Sequence, residues 1–140
     1  MIYVVVQFSC VIYLLINAHF SQLSYALWGL LIVGWIIGYA AVAAMGLDNI
    51  AVQPQLKTGH RLVTHGVYRY VRHPMYASLM IQGLALVFTN PIMLQYLAYG
   101  ILLVVLFLKS SKEEFYLSQR FDDYAEYKNQ SGRFLPALFR

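Results

Sequence analysis

Four stretches of this chain are almost wholly apolar, and its polar positions gather between and after them. The first stretch runs from about Ile2 to Ala18 and gives way at Asn17, His19 and Ser21; the second runs from about Leu23 to Leu47. Each approaches the ~20 residues, ~30 Å in all, that a membrane-spanning helix needs. Only a short connection separates them, which predicts a tight antiparallel hairpin over residues 1–47. A third stretch begins at Pro74, a residue suited to the first turn of a helix, and continues to about Phe88. Asn90-Pro91 then breaks the run, and a fourth follows from Ile92 to Leu108. These two are roughly 22–26 Å long at 1.5 Å per residue. They are expected to form a second hairpin, over residues 74–108, that spans or re-enters and returns its outer ends to one side.

The polar segments carry the other half of the prediction. Residues 48–73 hold Pro54, Lys57, Gly59, His60, Arg61, His65, Gly66, Arg69 and Arg72, a density that argues for irregular backbone. Irregular backbone cannot face lipid, so this segment is placed at the aqueous interface or against a protein-walled cavity. The segment from about Ser110 to Lys128 reads as one amphipathic helix within a C-terminal region 109–140. On it Lys109, Glu113, Leu117, Phe121 and Tyr124 share a face, while Glu114, Ser118 and Asp122 share a polar one. Glu113 is therefore expected to point inward, where a charge needs a partner, and Glu114 to be solvated. In the second run Gly34-x-x-x-Gly38 is expected to let a neighbouring helix of the same chain approach closely.

Composition turns these runs into a membrane protein. Hydrophobic residues make up 60% of the chain and charged residues 11%, against about 25% charged in ordinary globular domains. The fold class that follows is all-α: a single polytopic membrane domain of about four membrane helices plus a C-terminal amphipathic helix. The net charge is +4, yet before Lys57 the only charge is Asp48, and all ten Lys and Arg lie at or after Lys57. That asymmetry puts the 48–73 loop and the C-terminal segment on the cytoplasmic side. It gives no long basic run of the kind nucleic-acid binding would use. The single cysteine, Cys10, allows neither an internal disulfide nor a cysteine metal site, and His60, His65 and His73 fall in irregular backbone without further ligands, so no metal is expected. The start of the chain has no basic leader and reads as a first spanning helix.

Four clusters would carry any chemistry: Gly59-His60-Arg61-Leu62-Val63; Gly66-Val67-Tyr68-Arg69-Tyr70-Val71-Arg72-His73-Pro74-Met75-Tyr76; Lys109 with Glu113 and Glu114; and Gly132-Arg133-Phe134-Leu135-Pro136. Each has a structural account. The arginines would grip anionic headgroups, the tyrosines would form an interface belt, and Lys109 with Glu113 would be a helix ion pair. Together, in this order and spacing between Gln53 and Pro136, and with Phe121-Asp122-Asp123-Tyr124-x-x-Tyr127 between the last two, they resemble the isoprenylcysteine carboxyl methyltransferase family and its phospholipid methyltransferase relatives.

The resemblance implies a membrane methyltransferase that binds S-adenosyl-L-methionine through the interfacial loop and helix ends. It implies that Gln53, His60, Arg61, Leu62, Val63, Tyr68, His73, Pro74, Met75, Tyr76 and Glu113 contact the cofactor, with Glu113 receiving its ammonium group. Lys109 and Glu113 would be the catalytic pair, and Lys109 with Arg72 would meet the acceptor. The family's arginine is a lysine here, which keeps the charge and loses the two-pronged fork. With the short N-terminal part, this points to a small bacterial inner-membrane member with its own acceptor. That acceptor would be a lipophilic small molecule or a lipid: an isoprenylcysteine-like carboxylate, a phospholipid amine or a small thiol. Two other readings start from the same residues. One is an NADPH-binding membrane reductase related to sterol reductases, its arginines paired with phosphates. The other is a non-catalytic protein whose basic loop holds anionic membrane lipids.

Overall fold

An apolar run in a lipid setting has one economical solution, because only a helix satisfies all of its backbone N–H and C=O groups internally. The computed structural model describes residues 1–50 and 59–137, and there each of the four runs is a helix. Helix α1 is Ile2–Ile16, α2 Tyr25–Met45, α3 Pro74–Thr89 and α4 Met93–Arg120, followed by a short α5, Tyr124–Gln130. No strand is present among the described residues. By length and composition α2 and α4 are able to cross a membrane, and α1 and α3 are shorter apolar helices. Outward-facing Phe8, Ile12, Trp35, Ile36, Tyr39, Val104 and Phe107 are exposed on this chain. Such a surface is stable in lipid and would aggregate in water.

The boundaries follow from local chemistry. Ser24 caps α2, accepting from Leu27 N at 3.4 Å, and Gly46, at φ 76°, ends it. Pro74 opens α3 in its first turn. At the far end of the bundle the two hairpin connections are tied together. Asn90 Nδ2 donates to Asn17 O at 2.9 Å, and His19 N donates to Thr89 Oγ1 at 3.1 Å.

Helix α4 departs from the expected division. The fourth apolar run and the amphipathic segment form one continuous 28-residue helix. The expected helix over 110–128 instead breaks after Arg120, and Phe121 adopts an extended backbone. Aspartates at 122 and 123 favour a turn there, and the turn lets α5 fold back.

Packing pairs α2 with α3 and α1 with α4, and α3 also touches α4. The core between them holds Leu14, Leu31, Leu86, Val87, Leu102 and Leu106. The Gly34-x-x-x-Gly38 seam lies on α3 of the same chain. Ser78 Oγ donates to Gly34 O at 2.8 Å, and a Cβ at Gly38 would sit 2.7 Å from Ser78 Oγ. Gly66, at φ 61°, lets the loop approach Ala44 of α2, with 3.2 Å between Ala44 Cβ and an added Cβ.

A side chain at Gly34 would meet Gln82 Cγ at 2.6 Å and Ser78 O at 3.3 Å, whereas nothing lies within 4 Å at Gly29. Gly34→Leu is expected to destabilise the detergent-solubilised protein by about 1–3 kcal/mol through overpacking. Gly29→Ala on the same helix is expected to leave its thermal midpoint unchanged or slightly raised. Equal losses at both positions would mean that the α2–α3 seam is not the close contact described.

Candidate functional site

The loop between α2 and α3 is organised by one buried asparagine. Asn49 Oδ1 accepts from Arg61 N at 2.9 Å and its Nδ2 donates to Arg61 O at 2.9 Å. This pair of bonds fixes the backbone beside His60. The Arg61 guanidinium lies outside, 2.8 Å from Asp48 with both groups largely exposed, a pair of small energetic weight. A 3-10 turn, Gly66–Arg69, then buries Tyr68. Tyr127 of α5 donates its hydroxyl to Tyr68 O at 2.6 Å.

The chain beyond α5 returns to this loop. Val71 and Gly132 form an isolated parallel bridge. Arg72 N donates to Gly132 O at 2.8 Å, His73 N to Arg133 O at 3.0 Å, and Gly132 N to Tyr70 O at 3.0 Å. Those bonds bring four cationic groups around Glu114, which is 8% exposed. Arg72 Nε lies 2.9 Å from its carboxylate, His73 Nε2 3.3 Å, and Lys128 Nζ and Arg133 Nε 3.6 Å each. Arg72 also donates through Nη1 to Lys128 O and Ser131 O. Glu114 is thus the anchor of the site and not the solvated residue its helical position suggested. The returning C-terminal segment covers what would otherwise be a second, open face of α4.

Glu113 faces the other way, into a cavity. Tyr76 donates its hydroxyl to Glu113 Oε1, and His73 Nδ1 lies 3.5 Å from Glu113 Oε2. The His73 ring stacks on Tyr76 with centroids 5.5 Å apart. His73 therefore stands between two carboxylates, one at each ring nitrogen. Burial alone would push its pKa down, but hydrogen bonds and charges from Glu113 and Glu114 outweigh burial and hold it above the ordinary value. One turn before Glu113, Lys109 is buried. Its Nζ donates to Gln7 Oε1 of α1 at 2.9 Å and lies 5.1 Å from the Tyr76 ring centroid.

The cavity measures about 570 Å³, within the size range of small-molecule sites. Of the residues expected at the site, His60, Tyr68, Arg72, His73, Met75, Tyr76, Lys109 and Glu113 line it. Pro74 sits buried behind them at the start of α3. Leu62 and Val63 belong to the segment without regular secondary structure after the Asn49 clamp and do not line the cavity. Gln53 lies outside the described residues. Lining residues that the motifs did not indicate are Gln7 and Phe8 of α1, Trp35 and Tyr39 of α2, Asn49, and Gln82 of α3. Gln7 and Gln82 had a readable signal, since an amide inside an apolar run has to find a use. The arrangement offers the Glu113 carboxylate, the Lys109 ammonium with Arg72 and His73 beside them, and aromatic side chains from α1, α2 and α3.

Comparison with known proteins places these residues in a family. The model of the isoprenylcysteine carboxyl methyltransferase (ICMT) family matches residues 26–119. A rice protein (Oryza sativa subsp. indica) named probable protein-S-isoprenylcysteine O-methyltransferase is 34% identical over 114 residues, 78% of this chain and 59% of the relative. Protein-S-isoprenylcysteine O-methyltransferase A of Arabidopsis thaliana is 34% identical over 103 residues, 70% of this chain and 51% of the relative. The chain thus spans a little over half the length of these curated relatives.

Two outcomes follow from the charge cluster. Glu114→Gln strands cations in a buried setting and is expected to cost about 3–5 kcal/mol of stability, read as a large fall in thermal midpoint; a near-neutral variant would remove Glu114 as the anchor. For His73, a raised folded-state pKa means that protonation favours the fold. Its contribution is complete below about pH 6.5 and is lost as pH rises through the higher folded-state value. Thermal stability is expected to fall as pH rises above about 6.5 and through that value, and His73→Gln to flatten the fall; an identical profile in the variant would sink the assignment.

Proposed function

The chain belongs to the isoprenylcysteine carboxyl methyltransferase family, and from that premise we propose that it is an integral membrane enzyme transferring a methyl group from S-adenosyl-L-methionine to a lipophilic acceptor. The observation that carries this reading is Glu113. It is a carboxylate at the wall of an otherwise mainly apolar and aromatic cavity, positioned by Tyr76 and His73. The cofactor would need one anion for its ammonium group and aromatic surfaces for its adenine and sulfonium, and the lining supplies both. When bound, S-adenosylmethionine supplies an electrophilic methyl group.

The remaining work falls to the chain's own side chains. Glu113 binds the ammonium group. Tyr68, Met75, Tyr76 and His60 form the cofactor walls, and the segment Arg61, Leu62 and Val63 supports them. Gln53 is carried in this reading as a further contact. Lys109, one turn before Glu113 on the same wall of the cavity, receives the acceptor, and Arg72 holds the loop end of that wall in place through Glu114. Positioning and water exclusion then supply much of the catalysis. The acceptor would enter from the bilayer through the opening edged by Phe8 and Trp35, and the cofactor from the cytoplasmic side of a bacterial inner membrane, the side on which the Lys and Arg gather. A reductase would need cations free for phosphate groups, whereas Arg72, the arginine at the cavity wall, is held by Glu114.

Calorimetric titration of the detergent-purified protein with S-adenosylhomocysteine is expected to give saturable binding, and titration with NADPH none. Glu113→Gln removes a charged hydrogen-bond acceptor and is expected to weaken S-adenosylhomocysteine binding about tenfold or more while the protein stays folded. A folded wild type that ignores S-adenosylhomocysteine would end the methyltransferase reading. Unchanged affinity in the variant would end the role of Glu113.

A further inference from the structure

The C-terminal return frames a second cavity, of about 410 Å³. Its lining comes from Arg72 at the loop end, Lys128 and Asn129 of α5, and the segment 131–137 beyond it. Arg72, Lys128 and Arg133 bring three cations to this lining, and no described Asp or Glu lines it. Glu114 is the ion-pair partner of all three, which leaves an excess of two positive charges, and His73 draws on the same carboxylate. Only Arg72 forms a hydrogen bond to Glu114, at 2.9 Å. Lys128 Nζ and Arg133 Nε stand off at 3.6 Å each, too far for one. Arg133 uses Nη2 on Ser111 Oγ at 2.7 Å. Its Nη1 and the Nζ of Lys128 make no hydrogen bond among the described residues. A partly enclosed space with surplus positive charge and uncommitted donors attracts an anion.

The surroundings of Arg133 select the anion. Its guanidinium lies 4.4 Å from the centroid of the Phe107 ring. Phe107 belongs to the apolar run of α4 and is half exposed, and Leu135, in the cavity lining, is largely exposed. The cations therefore stand where the apolar part of α4 ends, with apolar surface beside them. A free phosphate has no use for that surface, whereas a phospholipid has acyl chains to lay against it. The basic face is also the cytoplasmic one by charge asymmetry, and anionic lipids populate that leaflet.

We propose that this cavity binds the headgroup phosphate of an anionic phospholipid, held by Lys128 and Arg133 with Arg72 as the fixed wall and with Phe107 and Leu135 beside the acyl chains. The guanidinium offers paired N–H groups to the phosphate oxygens and the ammonium a point charge. A lipid bridging these two residues ties α5 to the segment that pairs with residues 71–73. The site is separate from the cavity of Glu113 and Lys109, sharing Arg72 with it. The bound lipid is not the methyl acceptor, and the proposal stands whatever reaction the chain performs.

The test uses the full chain in nonionic detergent. The probes are dioleoylphosphatidylglycerol, the zwitterionic dioleoylphosphatidylcholine and inorganic phosphate. Phosphatidylglycerol is expected to raise the thermal midpoint saturably, because a ligand of the folded state stabilises it. Phosphatidylcholine at the same mole fraction and inorganic phosphate are expected to leave the midpoint in place. Arg133→Gln is expected to raise the phosphatidylglycerol fraction giving half the shift about tenfold or more, and Lys128→Gln about fivefold. Lys112→Gln removes an exposed cation of α4 that does not line this cavity and is expected to leave that fraction unchanged. Lys128 is half exposed at the surface, so its variant carries the test if loss of Arg133 prevents folding. Equal shifts from the two lipids, or an unchanged fraction in Lys128→Gln, overturn the proposal. An equal loss in Lys112→Gln overturns it in favour of diffuse attraction to the basic face. A shift from inorganic phosphate as large as that from phosphatidylglycerol overturns the lipid in favour of a soluble anion.

Discussion

Glu114 is the common ion-pair partner of three parts of the chain that lie far from it in sequence. Its carboxylate faces Arg72 and His73 at the end of the loop, Lys128 in α5 and Arg133 beyond it. Burying these charges is expensive, so the cluster is better understood as fixing a geometry than as a source of net stability. With Arg72 and His73 in place, the short parallel pairing between residues 71–73 and 132–133 closes. His73 is then presented to Glu113 through its other nitrogen. The position of the cavity-facing carboxylate thus depends on the neighbouring one that never reaches the cavity.

The helix pairing explains why the cavity opens where it does. Helices α2 and α3 approach closely along glycine and serine, and α1 and α4 form the other main pair. Side chains from all four line the space between the pairs. Polar side chains such as His60, Arg72 and Glu113 share this lining with Phe8, Trp35 and Tyr39, which are largely exposed on the chain. Such a mixed lining suits a reaction whose two reactants differ in polarity.

The helices were legible in the sequence because apolar runs of this length have few other options in lipid, and the expected and observed limits of α3 differ by a single residue at Thr89. The division of labour between Glu113 and Glu114 was only half legible. Helical periodicity placed Glu113 on an inward face, but it assumed that α4 had one packed side. The second packed side is made by residues 131–133 returning across the loop, a contact no local pattern encodes. The same limit hid Asn49, whose clamp on Arg61 exists only in the folded loop. Gln7 was visible as a polar residue in an apolar run, yet its partner lies in the last long helix.

That pairing of α1 with α4 bears on how the protein is made. As the chain emerges, α1 enters the membrane with a glutamine side chain at mid-helix and no Lys109 to receive it. Helices α2 and α3 can join at once across their glycine seam, while α1 has to wait for α4 to be synthesised and inserted. Throughout that interval the amide of Gln7 would sit poorly satisfied in lipid. It would be open to capture by a neighbouring polypeptide or an insertion factor, and completion of α4 would be the event that releases it.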